Sequence, residues 1–153
     1  MHRLVKGRKL YLAGLLVPHR KGLLGHSDGD VVLHAVADAI LGALAKPDIG
    51  CYFPDTDPKF KGVAGREVIR KVAAVMKKEK FAVGNLDIVI LCEEPKLAPL
   101  YEAMRKSVAA LLAISPKNVG IKAKTMERLG DIGKGKAIAC FANVSLDRRN
   151  GMV

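Results

Sequence analysis

Hydrophobic positions along the chain change period several times, and each change marks an element. Lys9-Leu10-Tyr11-Leu12-Ala13 and Leu15-Leu16-Val17 are short β-type runs, interrupted by Gly14 and closed by Pro18. Val32, Val36, Ala39 and Ala43 then recur at helical spacing, predicting a helix from Val31 to about Ala45. A second helix is predicted from about Gly65 to Lys80, with Val68, Val72, Val75 and Met76 inward. A third runs from about Leu97 to Ala113, with Leu100, Met104, Val108 and Leu111 inward. Ala82 to Cys92 reads as a strand whose continuous apolar run, Ile88 to Leu91, suits the centre of a sheet. Val119 to Lys124 and Ala137 to Leu146 are further strands, and 147–153 read as a frayed polar tail. Strands alternating with helices over 153 residues imply a single domain, 1–153. The expected class is α+β, an α/β-type sandwich in which one mixed sheet carries helices on one face.

Half of the residues are hydrophobic, enough for a real core, yet no apolar run approaches the roughly 18 residues of a membrane span. The N-terminus has no signal-peptide stretch, so a soluble, intracellular chain is expected. Cys51, Cys92 and Cys140 are far apart and fit no paired metal spacing, which reads as buried free thiols in a reducing compartment. The net charge of +11 points to anionic partners, nucleic acid or phosphorylated metabolites. With no Trp and no aromatics interleaved among basic residues, a stacking platform for nucleic acid is not expected. The basic residues gather instead at Arg66 to Lys80 and Tyr101 to Lys106, read as solvated helix faces, and between Lys122 and Lys136.

The densest chemistry lies in Gly25-His26-Ser27-Asp28-Gly29-Asp30 and the start of the first helix. Asp28 and Gly29 favour a tight turn, and Asp30 stands where an N-cap belongs, able to accept from the N–H groups of Val32 or Leu33. Asp30, His34 and Asp38 recur every four residues on one stripe. Imidazole beside carboxylates suits a divalent metal, whereas an isolated pair of this kind is also found on solvated helix faces. Cys51 to Pro58, with its prolines, acids and aromatic pair, either holds a ligand or is a connector stiffened by proline. Gly130-Asp131-Ile132-Gly133-Lys134-Gly135 does not match the dinucleotide fingerprint and precedes a strand. It is either a phosphate cradle or a plain flexible connection.

Taken together, these stretches resemble the 2-C-methyl-D-erythritol 2,4-cyclodiphosphate synthases of the non-mevalonate isoprenoid pathway. The resemblance rests on Leu24 to Val31 with His34, on Asp48-Ile49-Gly50, and on Phe53-Pro54-Asp55-Thr56-Asp57-Pro58. It continues through Pro95-Lys96 and Lys122-Ala123-Lys124-Thr125 with Glu127 and Leu129-Gly130, in family order over nearly the whole chain.

The resemblance implies a cytoplasmic bacterial homotrimer with active sites at subunit interfaces. The reaction it implies is an intramolecular phosphoryl transfer. The 2-phosphate of a cytidine-diphosphate methylerythritol attacks the diphosphate phosphorus nearer the methylerythritol and expels CMP. It further implies that His2 and His34 ligate Zn²⁺ or another divalent transition metal, and that Glu127 binds Mg²⁺ or Mn²⁺. His26 and Thr125 would donate hydrogen bonds to oxygens that gain charge in the transition state. Asp48, Ile49 and Gly50 would receive the ribose and neighbouring atoms, and Ser27 would also bind substrate. Phe53, Pro54, Asp55, Thr56 and Asp57 would close over the methylerythritol. Cys92, Glu93, Glu94, Pro95, Lys96, Leu97 and Ala98 would form the cytosine pocket from a neighbouring subunit, with Lys124 adding positive charge near the diphosphate and Met126 among the substrate-binding residues. Asp131 and Lys134 would face an axial cavity that can hold an isoprenoid diphosphate.

The sequence also departs from that family. There, His2 closes an Asp-x-His motif on a first strand; here Met1 stands at its middle position, so the Asp and the first part of that strand are absent from the sequence given. His2 and His34 alone offer two protein ligands where catalytic zinc usually has three. Asp131 stands where an aromatic residue is usual, and Lys134, where Arg is usual, loses the bidentate fork. An N-terminally shortened enzyme is one expectation. A catalytically impaired trimeric protein that binds nucleotide or isoprenoid diphosphate is the alternative.

Overall fold

In the computed structural model, which describes residues 1–25, 27–54, 56–60 and 62–149, the chain opens with four short strands. These are β1 (His2–Lys6), β2 (Leu10–Leu12), β3 (Leu15–Val17) and β4 (Lys21–Leu23). Then follow α1 (Val31–Ala43), α2 (Ile49–Tyr52), α3 (Gly65–Lys78), β5 (Phe81–Leu91), α4 (Tyr101–Leu112), β6 (Val119–Lys124), α5 (Gly130–Gly133) and β7 (Ala137–Arg148). The sheet order is β4-β1-β7-β5-β6; β5 and β6 are parallel and the other neighbours antiparallel, which makes the sheet mixed. β2 and β3 form a separate hairpin.

Alternation decides which face of the sheet is covered. Leu86, Ile88 and Ile90 of β5 and Ile138 of β7 are fully buried beneath the helices, where α1 packs on β7 and α3, and α4 packs on β6 and α3. On the opposite face Val89 pairs with Phe141 across β5 and β7, and Phe141 is 62% exposed. Leu91, Lys122 and Lys124 share that face.

The expected α+β arrangement with helices on one face is therefore present, with local corrections. In α1 the buried positions include Val32, Val36 and Ile40 with Leu33, Ala37 and Leu41, while Ala43 is exposed, because α1 is wrapped by β7, α3 and the hairpin rather than lying on one neighbour. In α4 Leu112, not Leu111, reaches the buried class, and the helix proper begins after a 3₁₀ turn, Ala98–Leu100, that contains Pro99. Residues 46–48 separate α1 from α2, whose first turn includes Ile49 and Gly50 and which Asp48 caps by accepting from Cys51 N at 3.3 Å. The glycine stretch 130–135 contains the single helical turn α5, and a Cβ on Gly133 would collide with the Arg128 main chain. β1 is the remainder of the N-terminal strand that the family resemblance implies at His2, whereas β4, three residues long, is too short to display a period. β7 continues through Asp147 to Arg148, and Arg149 N donates to Lys80 O at 2.8 Å. Cys51 is exposed rather than buried, since α2 is a surface turn. Burial pushes the Cys92 and Cys140 thiols up to about 12. Among the described residues no helix is long and apolar enough to cross a membrane.

Candidate active site

Residues 27–30 fold on their own short side chains. Ser27 Oγ accepts from Gly29 N at 3.0 Å, and Asp28 Oδ1 accepts from Asp30 N at 3.1 Å. Gly29 has φ +74°, and a Cβ there would stand 2.8 Å from Leu23 O, so glycine is required. Asp28 Oδ2 accepts from Gly65 N at 2.9 Å, which ties the start of α3 to the loop.

Asp30 is wholly buried, and its carboxylate accepts from the main-chain N–H groups of Ala13, Gly14, Val32 and Leu33 at 2.6–3.1 Å. It caps α1 and fastens the β2–β3 hairpin to it. Burial raises this carboxyl to about 6 against the downward pull of those donors. The stripe Asp30, His34, Asp38 therefore does not act as one ligand set. Asp30 is taken up by the backbone, Asp38 accepts from Ile49 N at 2.9 Å, and His34 alone of the three faces a cavity.

His34 Nδ1 lies 3.1 Å from His2 Nε2, and its other nitrogen, Nε2, lies 3.3 Å from Ser27 Oγ. With Nε2–H donating to Ser27, the Nδ1 lone pair faces His2. Burial, and then the charge of the neighbouring His34, holds His2 down to about 4. Burial likewise lowers His34, against the pull of Asp28 and Asp38. Both rings are thus neutral near pH 7, the state in which imidazole ligates metal. Two nitrogens bound to one tetrahedral zinc at about 2.0–2.1 Å stand roughly 3.3 Å apart, so the pair fits a shared divalent ion. Among the described residues no group of three or more His, Cys, Asp or Glu is placed to hold a metal.

The pair opens into a cavity of about 330 Å³ whose lining includes Ser27, Ile49, Gly50 and Phe53. Phe60, Val63 and Val68 complete its apolar wall; Phe60 and Val63 were not singled out by the sequence, and Val68 was read only as an inward helix position. Phe60 stacks edge-to-face on Phe53, at 5.2 Å between centroids, a contact with no local sequence signal. Asp48 caps α2 at the rim; Pro54 and Asp57 are half-buried, and Thr56 is exposed. His26 and Asp55 lie outside the described residues.

The remaining candidates form a second group at the ends of β5 and β6, and none of them lines that cavity. Cys92 N donates to Lys124 O at 2.9 Å, the Cys92 thiol donates to Glu94 O at 3.0 Å, and Glu93 Oε2 accepts from Met126 N at 3.2 Å. Glu94–Pro95 is a cis peptide, Leu97 is buried, and Lys96 and Ala98 are exposed. Thr125 Oγ1 donates to Glu127 Oε1 at 2.9 Å. Glu127 and Arg128 both have positive φ, and this turn presents the Glu127 side chain outward. Asp131 pairs with Lys136 at 3.7 Å and lines a shallow cavity beside Met1 and His2; Lys134 lines a different one with His19 and Arg128.

A family model, that of the YgbB family, matches residues 1–147. The 2-C-methyl-D-erythritol 2,4-cyclodiphosphate synthase of Geobacter sulfurreducens is 50% identical over 149 residues, covering 97% of this chain and 95% of that protein. Among solved structures, a CDP-bound form of a synthase of the same name superposes with a TM-score of 0.88 at 36% identity, over 95% of each chain. A CDP complex from Plasmodium falciparum superposes with a TM-score of 0.85 at 33% identity, over 97% of this chain and 92% of that one.

Proposed function

This chain belongs to the YgbB family, whose relatives reported above are 2-C-methyl-D-erythritol 2,4-cyclodiphosphate synthases, and from that premise we propose how it acts. It is an enzyme of isoprenoid biosynthesis that converts 4-diphosphocytidyl-2-C-methyl-D-erythritol 2-phosphate to the 2,4-cyclodiphosphate and CMP. The nucleophile is an oxygen of the substrate's own 2-phosphate. It bonds to the phosphorus nearer the methylerythritol as the bond to the CMP oxygen breaks, so the protein's work is to position and to neutralise charge. The alternative of a binding protein without turnover finds no support, since the relatives compared are synthases by name.

His2 and His34 would hold Zn²⁺ or another divalent transition metal, and Glu127 Mg²⁺ or Mn²⁺; such ions supply Lewis-acid neutralisation of phosphate charge. Ser27 fixes the His34 ring. Ile49, Gly50 and the Phe53–Asp57 loop enclose the sugar end and exclude water. His26 and Thr125 donate hydrogen bonds to phosphate oxygens, and Thr125 must turn from Glu127 Oε1 to do so. The observation that carries the reading is the neutral His2–His34 pair lining a mostly apolar cavity.

The cavity group and the Cys92–Ala98, Lys124–Glu127 group are two separated half-sites in one chain. Their separation supports a site completed between copies, in a cytoplasmic homotrimer whose contact is the uncovered sheet face. Asp131 and Lys134 would line its axis, where an isoprenoid diphosphate can bind. Nucleic acid has no part in this reading. The test is CMP release from the substrate and from its analogue lacking the 2-phosphate. Cyclisation requires release from the first only; equal release from both would mean hydrolysis and overturn the proposal.

A further inference from the structure

We propose that Arg8, in the turn between β1 and β2, is a positioning residue that holds the main chain of Gly25 and Ser27 in its active arrangement. Its guanidinium donates from Nη1 to Gly25 O at 3.2 Å and from Nη2 to Ser27 O at 2.8 Å. One planar cation thus fixes two carbonyls on either side of position 26 in the sequence, which the single ammonium of Lys cannot do with the same fork geometry. Because each peptide group is planar, fixing a carbonyl fixes its plane. The consequence reaches Ser27, whose Oγ meets His34 Nε2 at 3.3 Å, and through it the ring facing His2.

Charge favours the same arrangement. Carbonyl oxygens carry partial negative charge, and two of them turned toward a phosphorylated substrate would repel it. Arg8 draws both toward itself. Gly25 and Ser27 line the cavity and Arg8 does not, so Arg8 acts through the loop rather than on the substrate. Its backbone is held from behind by β4: a Cβ on Gly22 would stand 2.6 Å from Arg8 O.

The proposal rests on the cyclisation reading for its kinetic test and on geometry alone for its spectroscopic one. With Arg8→Gln, which can serve one carbonyl at a time, kcat is expected to fall about 10- to 100-fold while KM moves less than about threefold. Guanidinium ion at low concentration restores part of the turnover of Arg8→Ala and none in the parent. The ring-nitrogen NMR signals of His34 shift in Arg8→Gln and stay in place in Lys9→Gln, its exposed neighbour. If Arg8→Gln fails to fold, Arg8→Lys keeps the charge and is expected to show the same His34 shift and a smaller loss in kcat. Unmoved His34 signals, or a change in KM alone, would overturn the proposal. A parent chain without turnover would overturn the cyclisation reading and leave the His34 signals to decide the role of Arg8.

Discussion

His2 Nε2 stands 3.1 Å from His34 Nδ1, across the junction of β1 and α1, with Ser27 on the far edge of the His34 ring. Neutral nitrogens this close either share a proton or share a metal. Replacing His34 by Ala is therefore expected to weaken Zn²⁺ or Co²⁺ binding at least about 100-fold, and Ser27→Ala about 10-fold, as removal of an orienting partner does. The visible spectrum of bound Co²⁺ measures both; unchanged affinity in His34→Ala would place the metal elsewhere.

Asp30 links pH to stability. Its folded pKa of about 6 lies above the ordinary 3.8, so the folded state is favoured by the protonated form. That contribution is fully present below pH 3.8 and is lost as pH rises through about 6, a change of about 3 kcal/mol. Asp30→Asn cannot ionise. The stability of the parent relative to this variant, from urea unfolding, is expected to be greater at pH 4 than at pH 7; a constant difference would mean that the four N–H donors fully offset burial.

Gly133 supports Glu127 from behind, because any Cβ at 133 meets the Arg128 main chain. Gly133→Ala should shift the Glu127–Arg128 turn and raise the Mg²⁺ concentration needed for half-maximal turnover about tenfold, while Zn²⁺ affinity at the distant histidine pair is retained. Parallel loss of both affinities would indicate general unfolding instead.

Phe141, 62% exposed on the uncovered sheet face and paired with Val89, is the natural probe of assembly. Burying a carboxylate there is costly. Phe141→Glu should sediment as a monomer and lose turnover, whereas Lys106→Glu, on the helix side, should leave assembly intact. A parent chain that sediments as a monomer would remove the trimer from the account.

The long elements were legible because their periods are long enough to declare themselves. Val68, Val72 and Met76 on α3 and Ile88 and Ile90 on β5 are buried as their spacing requires. β4 was not, because three residues show no period and its pairing is set by β1, and β1 was expected only through the family resemblance at His2. Within the site, Asp30 could be read as a cap from its place before an apolar helix. That Asp28 would reach Gly65, or Arg8 the carbonyls of Gly25 and Ser27, could not, since both contacts join distant segments and carry no local signal. That Cys92 to Ala98 stand apart from the histidine cavity had no signal in period or spacing, and only the family resemblance implied it.

Metal-dependent cyclisation by this 153-residue chain, through its histidine pair, can be followed directly. The most direct measurement follows the substrate by phosphorus NMR with the chain, Zn²⁺ and Mg²⁺, then with chelator, then with the metals restored. The account expects CMP and the cyclic diphosphate to appear together, to stop with chelator, and to resume on restoring metal. CMP appearing unchanged in chelator, or without the cyclic product, would contradict it.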